Sequence, residues 1–230
     1  HFVTRAEVHW SRTLSTHRIK QLIRPRDISL AIGDDVIKQT NSIIRNTLRD
    51  GPISRKDIGD ALTQYKIRFE NKRLNQIILH AELDGVIYNG YSSAIKQPIY
   101  CSLENLLPPN FRFNENEALQ MLASRYFESH GPATLQDFQW WSGLSSTDAR
   151  KAISYIKHDF IFEVIDDKPY IFKESSIDYK MDKETIHYLP AYDELLISYK
   201  DKKAILTDEY YKRVIVSSYS FNPFIVSNAK

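Results

Sequence analysis

An eight-residue pattern that occurs twice constrains this chain more than any other feature. Gly51-Pro52-Ile53-Ser54-Arg55-Lys56-Asp57-Ile58 returns 80 residues later as Gly131-Pro132-Ala133-Thr134-Leu135-Gln136-Asp137-Phe138. Gly-Pro ends the helical pattern ahead of it, because proline lacks an amide hydrogen and pushes the preceding residue away from helical geometry. The Ser or Thr can then accept a hydrogen bond from the free amides of a new helix. Asp three residues on sits at that helix's positive end. Each copy is followed by a third helical pattern and two short β-rich runs.

Helix, turn, helix, helix, β-hairpin is the order of a winged helix, a small fold whose commonest use is gripping DNA. The expected fold class is therefore α+β: tandem winged-helix modules, each a helix-turn-helix plus a β-hairpin, with a C-terminal α/β extension. Residues 1–33 read as the remnant of an N-terminal module and a connecting helix, with a strand over His1–Trp10 and a short helix from Ser15 and Thr16 ending before Pro25. The first full module spans 34–110. Its first helix carries the stripe Val36, Ile37, Ile43, Ile44, Leu48. Its second runs from Ser54 to about Thr63, its third from about Phe69 to Asp84, and Val86–Tyr88 with Ile99–Cys101 forms its hairpin. The second module, 111–176, repeats the plan with helices over Glu115–Ser129, Thr134–Trp141 and about Ser146–Ile156. Its hairpin is Phe160–Val164 against Tyr170–Phe172. In the extension, 177–230, Ile186–Asp193 enters a turn, and Val214–Val216 with Phe224–Val226 suggests a further sheet. A start at His1 without Met, and a close on Phe224-Ile225-Val226 and a turn signal, give the expectation of a fragment of a longer protein.

With 230 residues the chain can bury a real core. It holds no apolar run near the roughly 18 residues of a membrane span. The single cysteine, Cys101, excludes an internal disulfide and fits a reducing compartment, so a cytoplasmic location and no membrane partner are expected. Net charge +2 hides an uneven distribution. Residues 1–30 carry six Lys and Arg against Glu7 and Asp27; residues 31–110 carry ten against nine, and residues 111–175 seven against ten. Attraction to DNA comes mainly from Lys and Arg on phosphates, so the second module is the poorer candidate for the main grip.

Several chemistries lack their residues. The seven histidines show neither helical His-x-x-x-His pairing nor any Cys-x-x-Cys partner, and the seven glycines are isolated, so no metal or cofactor is expected. Arg68, Lys72 and Arg73 stand near the start of the third helix of the first module, the end that meets bases or phosphates in a helix-turn-helix; a solvated helix face is the alternative. Asp148 beside Arg150 and Lys151 weakens the matching helix of the second module. Trp140 and Trp141 suit a core better than base stacking, with Gly143 supplying the tight turn. If residues 1–10 form a strand, Arg5, Glu7 and His9 project together as a phosphate or catalytic cluster, or as a strand-face ion pair. Asp193, after a proline turn, either positions water or a histidine or caps the next helix. Lys200 and Lys202 follow it.

Three segments carry a resemblance: Thr4-Arg5-x-x-x-His9-Trp10, the block from Arg125-Tyr126-Phe127 through Ser129-His130-Gly131-Pro132 to Trp140-Trp141-Ser142-Gly143-Leu144, and Leu189-Pro190-Ala191-Tyr192-Asp193 with Tyr199-Lys200-Asp201-Lys202. They resemble the winged-helix DNA-binding family that includes the AlkZ-like DNA glycosylases. The resemblance implies tandem winged helices around a DNA-binding concavity. It implies excision of N-alkylated purines or unhooking of interstrand crosslinks by hydrolysis of the N-glycosidic bond, without metal or cofactor. Double-stranded DNA is the expected partner of a monomer, with Arg5, Arg68, Lys72, Arg73, Lys200 and Lys202 as DNA contacts and His9 and Asp193 as catalytic candidates. That family's Gln-x-Gln or Gln-x-Asp catalytic pair has no match here; either it precedes His1 in a longer protein, or this member is not a glycosylase. A non-catalytic DNA binder or transcriptional regulator, and a module for protein assembly, are the other readings.

Overall fold

The computed structural model describes residues 4, 7–92, 97–106, 114–174, 185–203, 205–217 and 220–227, which fall into two units, His1–Phe113 and Asn114–Lys230. In the first unit the helices are α1 (Val8–Ser29), α2 (Asp34–Thr47), α3 (Arg55–Gln64) and α4 (Asn71–Leu83), followed by the hairpin of β1 (Ile87–Ser92) and β2 (Gln97–Ser102). Apolar residues three and four apart turn one face of each helix inward. Ile43 and Ile44 of α2, Ile58 and Leu62 of α3, and Leu74, Ile77, Ile78 and Ala81 of α4 form one core, closed by Val86, Ile87 and Tyr100. Ile58 and Leu62 are fully buried, each contributing about 1.5–3 kcal/mol relative to an exposed side chain.

The first copy of the repeat folds as a reciprocal cap. The Asp57 amide donates to Ser54 Oγ at 3.2 Å, and the Ser54 amide donates back to Asp57 Oδ2 at 2.7 Å. Two backbone hydrogen bonds join Ile53 to Tyr100 of β2, so the residue after Gly-Pro adds a third strand position to the hairpin.

The strand expected over His1–Trp10 does not form where the chain is described. Val8–Trp10 is the first turn of α1, which runs through Pro25 to Ser29 without stopping. One face of α1 settles the matter by packing: Trp10 is buried, and Arg12 Nη1 and Thr16 Oγ1 both donate to the Leu83 carbonyl of α4, at 2.8 and 3.2 Å. These tertiary bonds outweigh the local alternation. Pro25 forfeits a helical hydrogen bond at an exposed position.

The second unit repeats the order with α5 (Glu115–His130), a two-residue β3 (Ala133–Thr134), α6 (Leu135–Ser142), α7 (Ser146–Tyr155) and the strands β4 (Ile161–Ile165) and β5 (Lys168–Phe172). Thr134 and Asp137 rebuild the reciprocal cap, and Ala133 pairs with Ile171 of β5 as Ile53 pairs with Tyr100. Asp166 and Asp167 take positive φ (48° and 60°) in the two-residue turn from β4 to β5, as tight hairpins require. Gly143, at φ 70°, ends α6 in the left-handed conformation.

After residue 184 come β6 (Ile186–Leu189), α8 (Glu194–Ile197), α9 (Asp208–Val214), β7 (Ile215–Ser217), β8 (Ser220–Phe221) and β9 (Phe224–Ser227). The further sheet expected between 214–216 and 224–226 is paired differently: β9 lies antiparallel to β6, and β7 to β8. Val214 closes the last turn of α9, which leaves β7 only enough residues to meet the short β8. Among the described residues no helix is long and apolar enough to cross a membrane.

Candidate nucleic-acid interface

The buried stripe of α4 decides which of its side chains face out. With Leu74, Ile77, Ile78 and Ala81 inward, Asn71, Lys72 and Asn75 are exposed along the first two turns, and Arg68 is exposed just before the helix. Among the described residues, none of these four side chains makes a hydrogen bond or ion pair. The first turn of α4 holds no acidic residue. The result is an open face with two cations and two carboxamides that have no partner among the described residues. Arg and Lys can neutralise phosphates, and a carboxamide can pair with the donor and acceptor of an adenine edge.

The opposite side of α4 is fixed by polar bonds. Gln76 Nε2 donates to Asp27 Oδ1 at 2.6 Å, and His80 Nε2 meets the same oxygen at 2.9 Å, so the imidazole carries its proton on Nε2 to donate. All three residues are buried. Lys20 of α1 pairs with Asp84, whose second oxygen accepts from Asn41 Nδ2 at 2.7 Å. Arg73 is half-buried, and its Nη2 donates to the Ala31 carbonyl at 3.2 Å. These bonds hold α4 against α1, and they draw Arg73 away from the free face.

In the second unit the polar groups are spent on one another. Tyr126, Phe127 and Phe138 pack with ring centroids 5.1–5.3 Å apart, and the His130 ring stacks on Tyr126 at 5.0 Å. Tyr126 Oη donates to the Ser198 carbonyl and Tyr199 Oη to the His130 carbonyl, each at 2.8 Å. The tryptophan pair binds the same segment: Trp140 Nε1 donates to the Ile197 carbonyl at 3.0 Å and Trp141 Nε1 to Glu194 Oε2 at 3.1 Å. The Lys200 amide donates to Asp137 Oδ1 at 2.9 Å. Burial pushes the His130 imidazole below its usual pKa, although Glu194, 3.8 Å away, pulls the other way. This cluster clamps α8 and the residues after it onto α5 and α6.

The α7 helix exposes Arg150 and Lys151, but its first turn contains Asp148, which accepts from Ser145 Oγ at 2.6 Å. The turn of the following hairpin carries Asp166 and Asp167, both exposed. The cations of this copy thus share their helix with an acid, and the hairpin that follows adds two more exposed acids.

The family model described as DNA glycosylase AlkZ-like matches residues 1–227. The chain belongs to the AlkZ-like DNA glycosylase family. Its fold is similar to that of the Streptomyces sahachiroi DNA glycosylase AlkZ, with a TM-score of 0.72 and 15% identity over 98% of this chain and 64% of that one. The chain therefore spans somewhat less than two thirds of the length of the solved structure it matches. No curated protein matches the sequence.

Within this family member the site residues suggested by sequence have different fates. Arg68 and Lys72 share the open face with Asn71 and Asn75, two residues that no sequence motif singles out; their position opposite the buried stripe is the signal that marks them. Lys200 is exposed on its side chain while its amide holds Asp137. Lys202 is turned inward, 9% exposed, with Nζ donating to the Tyr199 carbonyl at 2.9 Å and lying over the Trp140 ring at 5.3 Å. Burial pushes its ammonium below the usual lysine range. Asp193 caps α8, its Oδ1 accepting from the Leu195 amide at 3.0 Å, so capping is the role its geometry fills. Arg5 lies outside the described residues, as does the His9 side chain. A shared strand face for Arg5, Glu7 and His9 is lost because Glu7 stands at the start of a helix, where its carboxylate accepts from the Thr4 amide and hydroxyl.

Proposed function

We propose that this chain is the DNA-holding part of a DNA glycosylase-like protein, built from two winged-helix modules, with the first module supplying the main grip. The observation that carries this reading is the face of α4, where Arg68, Lys72, Asn71 and Asn75 are exposed and unpartnered among the described residues. Placed against duplex DNA, Arg68 and Lys72 meet phosphates, and the two asparagines reach the groove between them. Lys200, exposed in the second unit, and Arg5 are proposed as further phosphate contacts. The substrate class is DNA carrying an N-alkylated purine or an interstrand crosslink. The reaction is hydrolysis of the N-glycosidic bond, and no Gln-x-Gln or Gln-x-Asp pair occurs among these residues to carry it. The chain's own contribution is to bind and orient the duplex.

The test has two parts. Fluorescence anisotropy with an undamaged and an alkylated duplex, across a salt series, measures binding; the log of affinity falls with the log of salt if phosphates are neutralised. Chromatography of released base measures excision. Binding that is absent or indifferent to salt would refute the DNA reading.

A second reading, a non-catalytic sequence-selective DNA binder, is favoured by Asn71 and Asn75, because asparagine is suited to adenine edges. It predicts selective binding to undamaged duplex with every glycosidic bond intact after prolonged incubation.

A further inference from the structure

The second unit has an open pocket of about 410 Å³ lined by the start of α6, the first residues of β5, and α8 with the segment after it. That is within the range of small-molecule sites, roughly 300–1,000 Å³. Its lining is mostly apolar: Pro132, Leu135, Pro169 and Leu195 contribute, together with the aromatic residues Tyr170 and Tyr199.

The charged groups in the lining are already satisfied. Lys168 Nζ pairs with Asp201 Oδ2 at 3.0 Å. One Asp137 oxygen accepts from the Thr134 amide and hydroxyl, the other from the Lys200 amide. The Tyr199 hydroxyl donates to the His130 carbonyl. Two polar side chains of the lining are left with no hydrogen bond among the described residues: the Gln136 carboxamide and the Tyr170 hydroxyl. A phosphate or carboxylate would find no unpaired cation among the described lining residues, and an aliphatic ligand would leave the carboxamide unused. A flat ring with a hydrogen-bond donor beside an acceptor satisfies both the walls and Gln136, whose carboxamide offers the complementary pair.

We propose that this cavity binds a planar, uncharged nitrogen heterocycle of nucleobase size, held at its donor–acceptor edge by Gln136 and flanked by Tyr170. Such a ring can come from two sources: a base extruded from a duplex, or a free base or nucleoside. The site stands on different residues from the α4 face, so it does not depend on the DNA reading above.

The fluorescent base analogue 2-aminopurine separates the sources. The protein is titrated with free 2-aminopurine riboside and, in parallel, with a duplex carrying 2-aminopurine opposite an abasic site, following analogue fluorescence and duplex anisotropy together. A saturable fluorescence change is expected with at least one probe. Gln136→Ala, at an exposed position that leaves the cap and core intact, weakens it about tenfold, and Tyr170→Phe weakens it less. Saturation by the nucleoside identifies a free ligand, and saturation by the duplex alone identifies an extruded base. The proposal is overturned if neither probe gives a saturable change, or if Gln136→Ala binds like the unaltered protein. Duplex binding seen by anisotropy without any fluorescence change from either probe also overturns it, and leaves the DNA reading standing.

Discussion

The two copies of Gly-Pro-x-Ser/Thr-x-x-Asp build the same cap and put it to different uses. In the first unit Asp57 is exposed and bonds within the cap; in the second Asp137 is buried and also receives the amide of Lys200. Gly51 sits at φ +127° with open space where a side chain would go, whereas a Cβ on Gly131 would lie 2.5 Å from the Phe127 carbonyl oxygen and 3.0 Å from that of Ile171. The first unit leaves one face of α4 exposed, with Asn71, Lys72 and Asn75. The second copy is tied into its surroundings by bonds from Tyr126, Trp140, Trp141 and Tyr199. One duplicated pattern thus stays exposed in one unit and is built into a packed cluster in the other, and the difference lies in what packs around the cap.

Substitutions that treat the copies alike should separate them. The largest single loss is expected at the glycines. Gly131→Ala forces apart the tightly spaced backbone around Phe127 and Ile171 and costs about 3 kcal/mol. Gly51→Ala carries only conformational strain, about 1–2 kcal/mol. Denaturant unfolding of each variant measures this, and equal losses would break the comparison. The aspartates come next. Asp57→Ala removes one exposed cap for about 1 kcal/mol, while Asp137→Ala also strands the Lys200 amide and costs roughly 2–3 kcal/mol.

The smallest effect is a pH dependence confined to the second unit. The His130 pKa is depressed by burial, so the unfolded chain takes up its proton first as pH falls. Its contribution to stability is fully present above the ordinary histidine value near 6.5 and declines as pH drops from there through the lowered value. Thermal melts over this window should show the decline, and His130→Gln should flatten it. A slope unchanged by that substitution would assign the effect elsewhere.

Much of both copies was legible from local signals: an inward stripe such as Ile43, Ile44, Leu48 in α2, the Ser54, Thr134 and Ser145 caps of α3, α6 and α7, and the glycine stop at Gly143. The parts that escaped depend on distant partners. Nothing local to Val8–Trp10 announces that Leu83, 71 residues from Arg12, will accept its hydrogen bond. The third strand positions at Ile53 and Ala133 are backbone pairings that leave no mark in side-chain pattern. The same holds for site residues. The exposure of Arg68 and Lys72 follows from helical spacing, but the inward turn of Lys202 is set by the Tyr199 carbonyl and the Trp140 ring, and that of Arg73 by the Ala31 carbonyl.

The proposed division between a gripping copy and a scaffolding copy is tested most directly by the salt dependence of duplex affinity in two paired variants. Replacing Arg68 and Lys72 with alanine should lower the slope of log affinity against log salt by about 2, roughly one for each phosphate no longer neutralised. Replacing Arg150 and Lys151 should leave it nearly unchanged. A slope that holds in the first pair and collapses in the second would place the grip in the second unit and contradict the account.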